Sequence, residues 1–298
     1  MKLEQFTALL DHNRPFVLDG ALGTMLIAQG LPSGYEPVRW NIEHPERVSS
    51  VHANYAASGS ELVHANTFGG NRARLAASGI AHLIGQVNAA GIAIATSAVG
   101  GLCLVAGDIG PTGLLFPPAG TATIEELQDV FQEQTEILAA SGADVLSVET
   151  MYDLREALAA IDAARKTDLP VLASMTFDVK RRGFFTMMGD SLLPSLLRLA
   201  DSGAVAVGMN CSVTSDVMVR MVEEVVRQVP VPLAVQPNAG QPRVTATGIV
   251  YGAVADSFAE DIRRMTEAGA RLVGGCCGST PEFIQAIRVR FPKKDGAP

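Results

Sequence analysis

The feature that most constrains the fold of this chain is a recurrence. AASGSELVHANTF (56–68), AASGADVLSVET (139–150), DSGAVAVGMNCS (201–212) and EAGARLVGGCC (267–277) each run from a helical end, through a glycine, into a short apolar strand. The glycines, Gly59, Gly142, Gly203 and Gly269, stand where a helix closes on a left-handed residue. Each strand then ends in polar or reactive side chains: Asn66 and Thr67, Glu149 and Thr150, Asn210 and Cys211, Cys276 and Cys277. A unit repeated in this way is a strand–helix repeat.

Four further apolar runs alternate with these: FVLD (16–19), LCLVAGD (102–108), VLASMTF (171–177) and PLAVQPN (232–238). The total is eight strands, each followed by a segment of helical periodicity such as IEELQDVFQEQTEILAA (124–140) or SDVMVRMVEEVVRQV (215–229). Near-continuous apolar strands between amphipathic helices are buried on both faces. This predicts an α/β fold of TIM type, a parallel (β/α)8 barrel. With 298 residues, 48% of them hydrophobic, the chain suits one such domain over 1–298, its core near 15–290. An open doubly wound sheet is the alternative, but DGALG after the first strand lacks the G-x-G-x-x-G pattern that usually opens one. In a barrel, the strand ends at one rim carry the chemistry. Here those ends are Asp19, Thr67, Asp108, Glu149, Asp178, Cys211, Asn238, Cys276 and Cys277.

A net charge of −8 argues against nucleic acid as a partner, since phosphate binding needs a basic footprint. MKLEQFTALLDHNR has no apolar secretory core, and the four cysteines read as reduced thiols, so a cytoplasmic location is expected. One stretch, Leu75 to Gly107, holds no Asp, Glu, Lys or Arg and invites a membrane reading. It also contains His82, Gln86, Asn88, Thr96 and Ser97 and breaks at Gly100 and Gly101, which fits a buried helix, then a buried strand, and no membrane.

Three of the four cysteines converge on the predicted rim, while Cys103 falls at the start of its strand, at the far end. Zinc takes cysteine thiolates in tetrahedral geometry and keeps an exchangeable position at catalytic sites. Neighbours in a regular strand point to opposite faces, so Cys276 and Cys277 reach one ion only where the strand is ending. Gly274, Gly275 and Gly278 permit such a path. The competing reading makes each cysteine a small core residue, and for Cys103 it is the preferred one. A phosphate loop at Gly274 and Gly275 is a further reading; Asn238-Ala239-Gly240 supplies no companion loop of that kind. His64 reads as a hydrogen-bonded core histidine and Asp108, in GDIGP, as a loop residue. His12, His44, His52 and His82 have no partner pattern.

Together, DGALGTML (19–26), WNIEHPE (40–46), HANTFGGN (64–71), GDIGPTG (107–113), NCS (210–212), PNAG (237–240) and GGCCGSTPE (274–282) resemble the homocysteine S-methyltransferase family. The likeness is greatest to the homocysteine-binding module of cobalamin-dependent methionine synthase and runs from about residue 15 to residue 290. It implies a (β/α)8 barrel holding Zn2+ through Cys211, Cys276 and Cys277, with Asn238 filling the fourth position until homocysteine displaces it. A free thiol, with a pKa of about 8.5, is mostly protonated at neutral pH, whereas zinc would hold the substrate sulfur as a thiolate able to attack a methyl group, giving methionine. The resemblance further implies that Asp19 and Glu149 take the amino group, while Thr67 and the backbone at Gly20 orient the carboxylate. Charge-assisted hydrogen bonds would stabilise that arrangement. Helix capping is the other reading of Asp19 and Glu149.

The methyl donor is less constrained. The chain lacks D-x-H-x-x-G, the signature of cobalamin-binding modules, so methylcobalamin or another corrinoid is expected free or on a separate protein. The segment DVKRRGFFTMMGDS (178–191), with basic, aromatic and methionine residues together, is the expected contact. A small onium donor such as S-methylmethionine or betaine is the alternative. Betaine users of the family carry tyrosine where this chain has Thr150, and a cation cage wants aromatic residues that are scarce here. Two other classes make different predictions: a non-catalytic zinc-binding barrel has a permanently closed fourth position, and an aldolase-type barrel binds phosphate and no zinc.

Overall fold

The computed structural model describes residues 3–10, 14–245 and 248–292. All eight expected strands form one parallel sheet: β1 (Phe16–Val17), β2 (Leu62–His64), β3 (Leu104–Ile109), β4 (Val145–Met151), β5 (Val171–Met175), β6 (Ala206–Thr214), β7 (Leu233–Asn238) and β8 (Leu272–Val273). Each pairs with its neighbour in sequence, and β8 pairs with β1, as Phe16 lies opposite Leu272. The remaining seam, between β1 and β2, is joined by the single parallel bridge Leu18 to Leu62. The fold is a (β/α)8 barrel, nearly closed.

That weak seam has a side-chain reinforcement. Glu61, just before β2, accepts the Val17 N–H at 2.9 Å, supplying a bond the short ladder lacks. Arg14 donates to both Glu61 oxygens, at 2.8 and 2.6 Å, and Arg288 lies 2.9 Å from Oε2. Burial alone would raise the Glu61 pKa; these donors outweigh it and hold the carboxyl at about 2.

The period-two alternation of the strands sorts the interior into layers. Phe16, Leu18, Leu62, Ala106, Val145, Leu172, Ala206, Ala234 and Leu272 form an apolar floor, plugged by Phe6 and Leu10 of the helix Leu3–Leu10. Two residues further along each strand the same inward row becomes polar: His64, Asp108, Ser147, Ser174 and Gln236, with Gly208 and Gly274 between them. A further step brings Glu149, Asn210, Asn238 and Cys276 to the mouth. Hydrophobicity below and chemistry above are thus written along one face of each strand.

The helices cover the outside. Ile124–Ala140, expected at those bounds, buries Leu127, Phe131 and Leu138. The charge-poor stretch forms the helix Ile84–Val99 followed by β3. Ala81–Val99 is long and apolar enough to cross a bilayer, but Val87, Ile92, Ala95 and Val99 are buried on the barrel, and Asn88 donates to the Gly70 carbonyl at 2.8 Å. Two antiparallel hairpins, unforeseen in the sequence, are inserted after β5 and β7: Asp178–Lys180 with Gly183–Phe185, and Arg243–Thr245 with Gly248–Val250.

Candidate active site

The three rim cysteines meet. Their sulfurs all lie within 4.8 Å of one another, and Cys211 Sγ is 3.7 Å from Cys277 Sγ. Cys211 stands one residue past the inward-facing Asn210, so a regular strand would point it outward. Instead Cys211 and Ser212 adopt left-handed backbone, φ +58° and +56°, where β6 slips register against β7 between Asn210 and Thr214. Such a conformation costs a non-glycine residue on the order of 1–3 kcal/mol and persists only where surrounding contacts enforce it. Thr150, at the end of β4, is a third such residue, φ +60°.

Asn210 enforces this corner. Its Oδ1 accepts from Thr150 N–H at 3.0 Å and Ser174 Oγ at 2.9 Å, and its Nδ2 donates to Glu149 Oε2 and Thr150 Oγ1, both at 2.7 Å. One amide therefore ties β4, β5 and β6 together beside the sulfur cluster, with every donor and acceptor used.

Cys276 and Cys277 follow β8, where the strand has ended and both can turn inward. Cys276 N–H donates to Pro237 O at 2.8 Å, and Ala239 N–H donates to Cys277 O at 2.9 Å, pinning the pair to β7. The flanking glycines are required by space. A Cβ at Gly274 would sit 2.7 Å from the Asp19 carbonyl, and one at Gly278, φ +83°, would enter the Tyr251 ring at 2.2 Å. Tyr251, marked by no sequence pattern, lies within hydrogen-bond reach of Cys277. Cys103 lies apart, its thiol donating to Ser60 O at 3.1 Å.

The donors suit a metal ion. Sulfurs at tetrahedral corners about 2.3 Å from zinc stand about 3.8 Å apart, close to the Cys211–Cys277 separation. Asn238, at the end of β7, has a buried Oδ1 with no hydrogen-bond partner. As free thiols the three share protons: hydrogen bonds from Cys211 and Cys276 pull Cys277 down to about 3, while donation to its neighbours pushes Cys276 well up. Cys277, lowered in this way, is the thiol of the three most ready to give up its proton to a cation.

Beneath it lies an acidic layer. Asp19, 1% exposed, accepts the His64 N–H at 2.8 Å on Oδ2 and faces the ring Nδ1 at 2.7 Å on Oδ1; His64 Nε2 is 3.2 Å from Ser147 Oγ. Burial would lower the His64 pKa, but Asp19, with Asp108 and Glu149 nearby, raises it to about 10, so the imidazole is a cation. His64 is the hydrogen-bonded core histidine expected, and the described part of the chain contains no metal-ligand set that includes it. Thr67 has its hydroxyl engaged, donating to Asp108 O at 2.8 Å and accepting from Asp108 N–H at 2.9 Å. Gly20 packs against Ser279 and Tyr55, leaving no room for a side chain. Glu149 is half-buried at the mouth, and burial raises its pKa.

Two expectations need correction. Asp108 is not a loop residue: β3 continues through Ile109, and Asp108 is buried in the barrel within hydrogen-bond reach of Glu149. Asp178 does not join the site; it starts the first hairpin and pairs with Lys180 at 3.2 Å, half exposed. In the same hairpin segment Phe184 is buried under Arg220, whereas Met187 is 68% exposed and Val179 and Met188 are also open. His52 is buried with neither ring nitrogen bonded, and burial lowers its pKa to about 4. His12 lies outside the described residues.

Comparison with known proteins places this geometry. A family profile described as homocysteine S-methyltransferase matches residues 16–291. Methionine synthase of Mycobacterium tuberculosis is 32% identical over 302 residues, covering 94% of this chain and 25% of the relative. That of Mycobacterium leprae is 30% identical, covering 92% and 24%. The chain thus spans about a quarter of the length of these curated relatives. Among solved structures, the metallated form of the homocysteine methyltransferase MmuM from Escherichia coli superposes with a TM-score of 0.78 at 25% identity, covering 95% of this chain and 98% of that one.

Proposed function

The chain belongs to the homocysteine S-methyltransferase family, a family of methyltransferases, and from that premise we propose that its barrel mouth transfers a methyl group to the sulfur of homocysteine, giving methionine. The observation that carries this reading is the convergence of Cys211, Cys276 and Cys277 beside the unpartnered Asn238 Oδ1. These four residues would hold Zn2+, Asn238 through a neutral and readily displaced oxygen. When bound, zinc would lower the pKa of a thiol in its fourth position, so that the sulfur is nucleophilic at neutral pH.

The chain's own residues do the rest. The left-handed turn at Cys211, held by Asn210, aims its sulfur over the mouth. Glu149 presents a carboxylate to the substrate ammonium, while Asp19, held on both oxygens by His64, acts by fixing that imidazole beneath the site. The backbone at Gly20 faces the substrate carboxylate, and Thr67 acts by holding Asp108 and the β2 end in place.

For the donor, we favour a methyl-corrinoid, for which this sequence carries no binding motif. Both named mycobacterial relatives are methionine synthases about four times this chain's length, and the hairpin after β5 exposes Met187, Met188 and Val179 at the rim. The test is methionine formation by zinc-loaded protein with methylcobalamin, S-methylmethionine and betaine supplied separately. Turnover with methylcobalamin supports the reading. Turnover only with an onium donor overturns the donor and keeps the acceptor, and no turnover with any donor overturns the reading.

A further inference from the structure

We propose that Asp108 is a further substrate-binding residue, which together with Glu149 takes the primary ammonium of the amino thiol. The inference rests on the reading of the barrel mouth as a homocysteine site. Asp108 stands two residues beyond Ala106 of the apolar floor, so strand alternation turns its side chain into the barrel. Its backbone is locked by the reciprocal pair of bonds to the Thr67 hydroxyl. The side chain is 5% exposed, and its Oδ1 has no hydrogen-bond partner. An interior carboxylate oxygen left without a donor is unfavourable unless a ligand supplies one.

The surrounding charges say what that ligand is. Asp19 already has its counter-charge, since both its oxygens face His64. Glu149 lies within hydrogen-bond reach of Asp108, and Asn210 holds Glu149 Oε2 from the other side at 2.7 Å. Among the described residues no Lys or Arg pairs with Asp108 or Glu149, and burial with the adjacent Glu149 raises the Asp108 pKa well above the ordinary carboxylate range. This pair, behind the residue that precedes Cys211, therefore holds a proton where a cationic ligand group would stand. A primary ammonium brings three donors and one positive charge to two carboxylates. A small molecule with its sulfur at the cysteines and its ammonium at this pair is an amino thiol. A thiol lacking the amino group leaves the pair unfilled, so Asp108 selects against it.

The experiment compares zinc-loaded wild type with Asp108→Asn by calorimetric binding of homocysteine and of 4-mercaptobutanoate, its analogue without the amino group. The variant should bind homocysteine about 10–100-fold more weakly, the size of a lost charge-assisted bond. It should bind 4-mercaptobutanoate as the wild type does and retain its zinc. Wild-type affinity for homocysteine in the variant overturns the proposal, and so does an equal loss of both thiols. Asp108→Ser, smaller and uncharged, is measured in parallel so that a folding failure of one variant does not decide the matter. If the wild type binds neither thiol, the homocysteine reading itself has failed, a result distinct from failure of the Asp108 assignment.

Discussion

Replacing Asn210 with alanine should loosen the site more than any single cysteine change loosens the fold. Three neutral hydrogen bonds, to Thr150 N–H, Thr150 Oγ1 and Ser174 Oγ, would be lost along with one to the Glu149 carboxylate. Neutral bonds contribute about 0.5–1.5 kcal/mol net and one to a charged group about 1.5–3 kcal/mol. Against that loss, freeing the left-handed backbone at Cys211 returns on the order of 1–3 kcal/mol. The balance centres on a destabilisation of about 3 kcal/mol, read from urea unfolding midpoints. Because Asn210 directs Cys211 and Glu149 without being a metal ligand itself, zinc affinity should also fall about 10–100-fold, read by competition with a chelator. A variant within about 0.5 kcal/mol of wild type, with unchanged zinc affinity, would refute the clamp, since changes of that size are ordinary for surface substitutions.

Two further outcomes are expected. Glu61 has a depressed pKa, about 2, so its contribution is complete above the ordinary carboxylate range and is lost as pH falls toward 2. A shift of that size corresponds to about 3 kcal/mol, so Glu61→Gln should cost most at about pH 7 and least at about pH 2, with parallel urea stability curves for the two proteins contradicting it. Cys276→Ala should lose zinc and methyl transfer together, while Cys103→Ala, remote from the cluster, should keep both; metal analysis with the methionine assay decides, and activity surviving in the Cys276 variant would sink the mechanism.

The barrel was legible because its repeat is local: four of the eight strands follow a helix-closing glycine and all eight are largely apolar, so the strands could be placed to within a few residues. The cysteine rim was legible for the same reason, since strand ends in a barrel share one face. What the sequence could not show depends on backbone detail. Alternation alone would have turned Cys211 outward, and only a left-handed residue and a register slip bring it in. Asp108 ends the predicted strand, but GDIGP reads as a loop because Gly110 and Pro111 follow, which hid that β3 carries its side chain into the interior. Asp178 seemed a strand end because the hairpin that receives it has no strong turn signature. Tyr251 left one indirect signal: Gly278, whose missing side chain makes room for its ring.

On the reading proposed here, three cysteines and one displaceable ligand hold a zinc ion to which homocysteine binds through sulfur. X-ray absorption at the zinc edge tests it most directly, since Zn–S distances of about 2.3 Å are distinct from Zn–O and Zn–N distances of about 2.0–2.2 Å. Three sulfurs and one lighter atom are expected for the zinc-loaded protein, becoming four sulfurs when homocysteine is added. A first shell that lacks the three sulfurs, or one that homocysteine leaves unchanged, would contradict it.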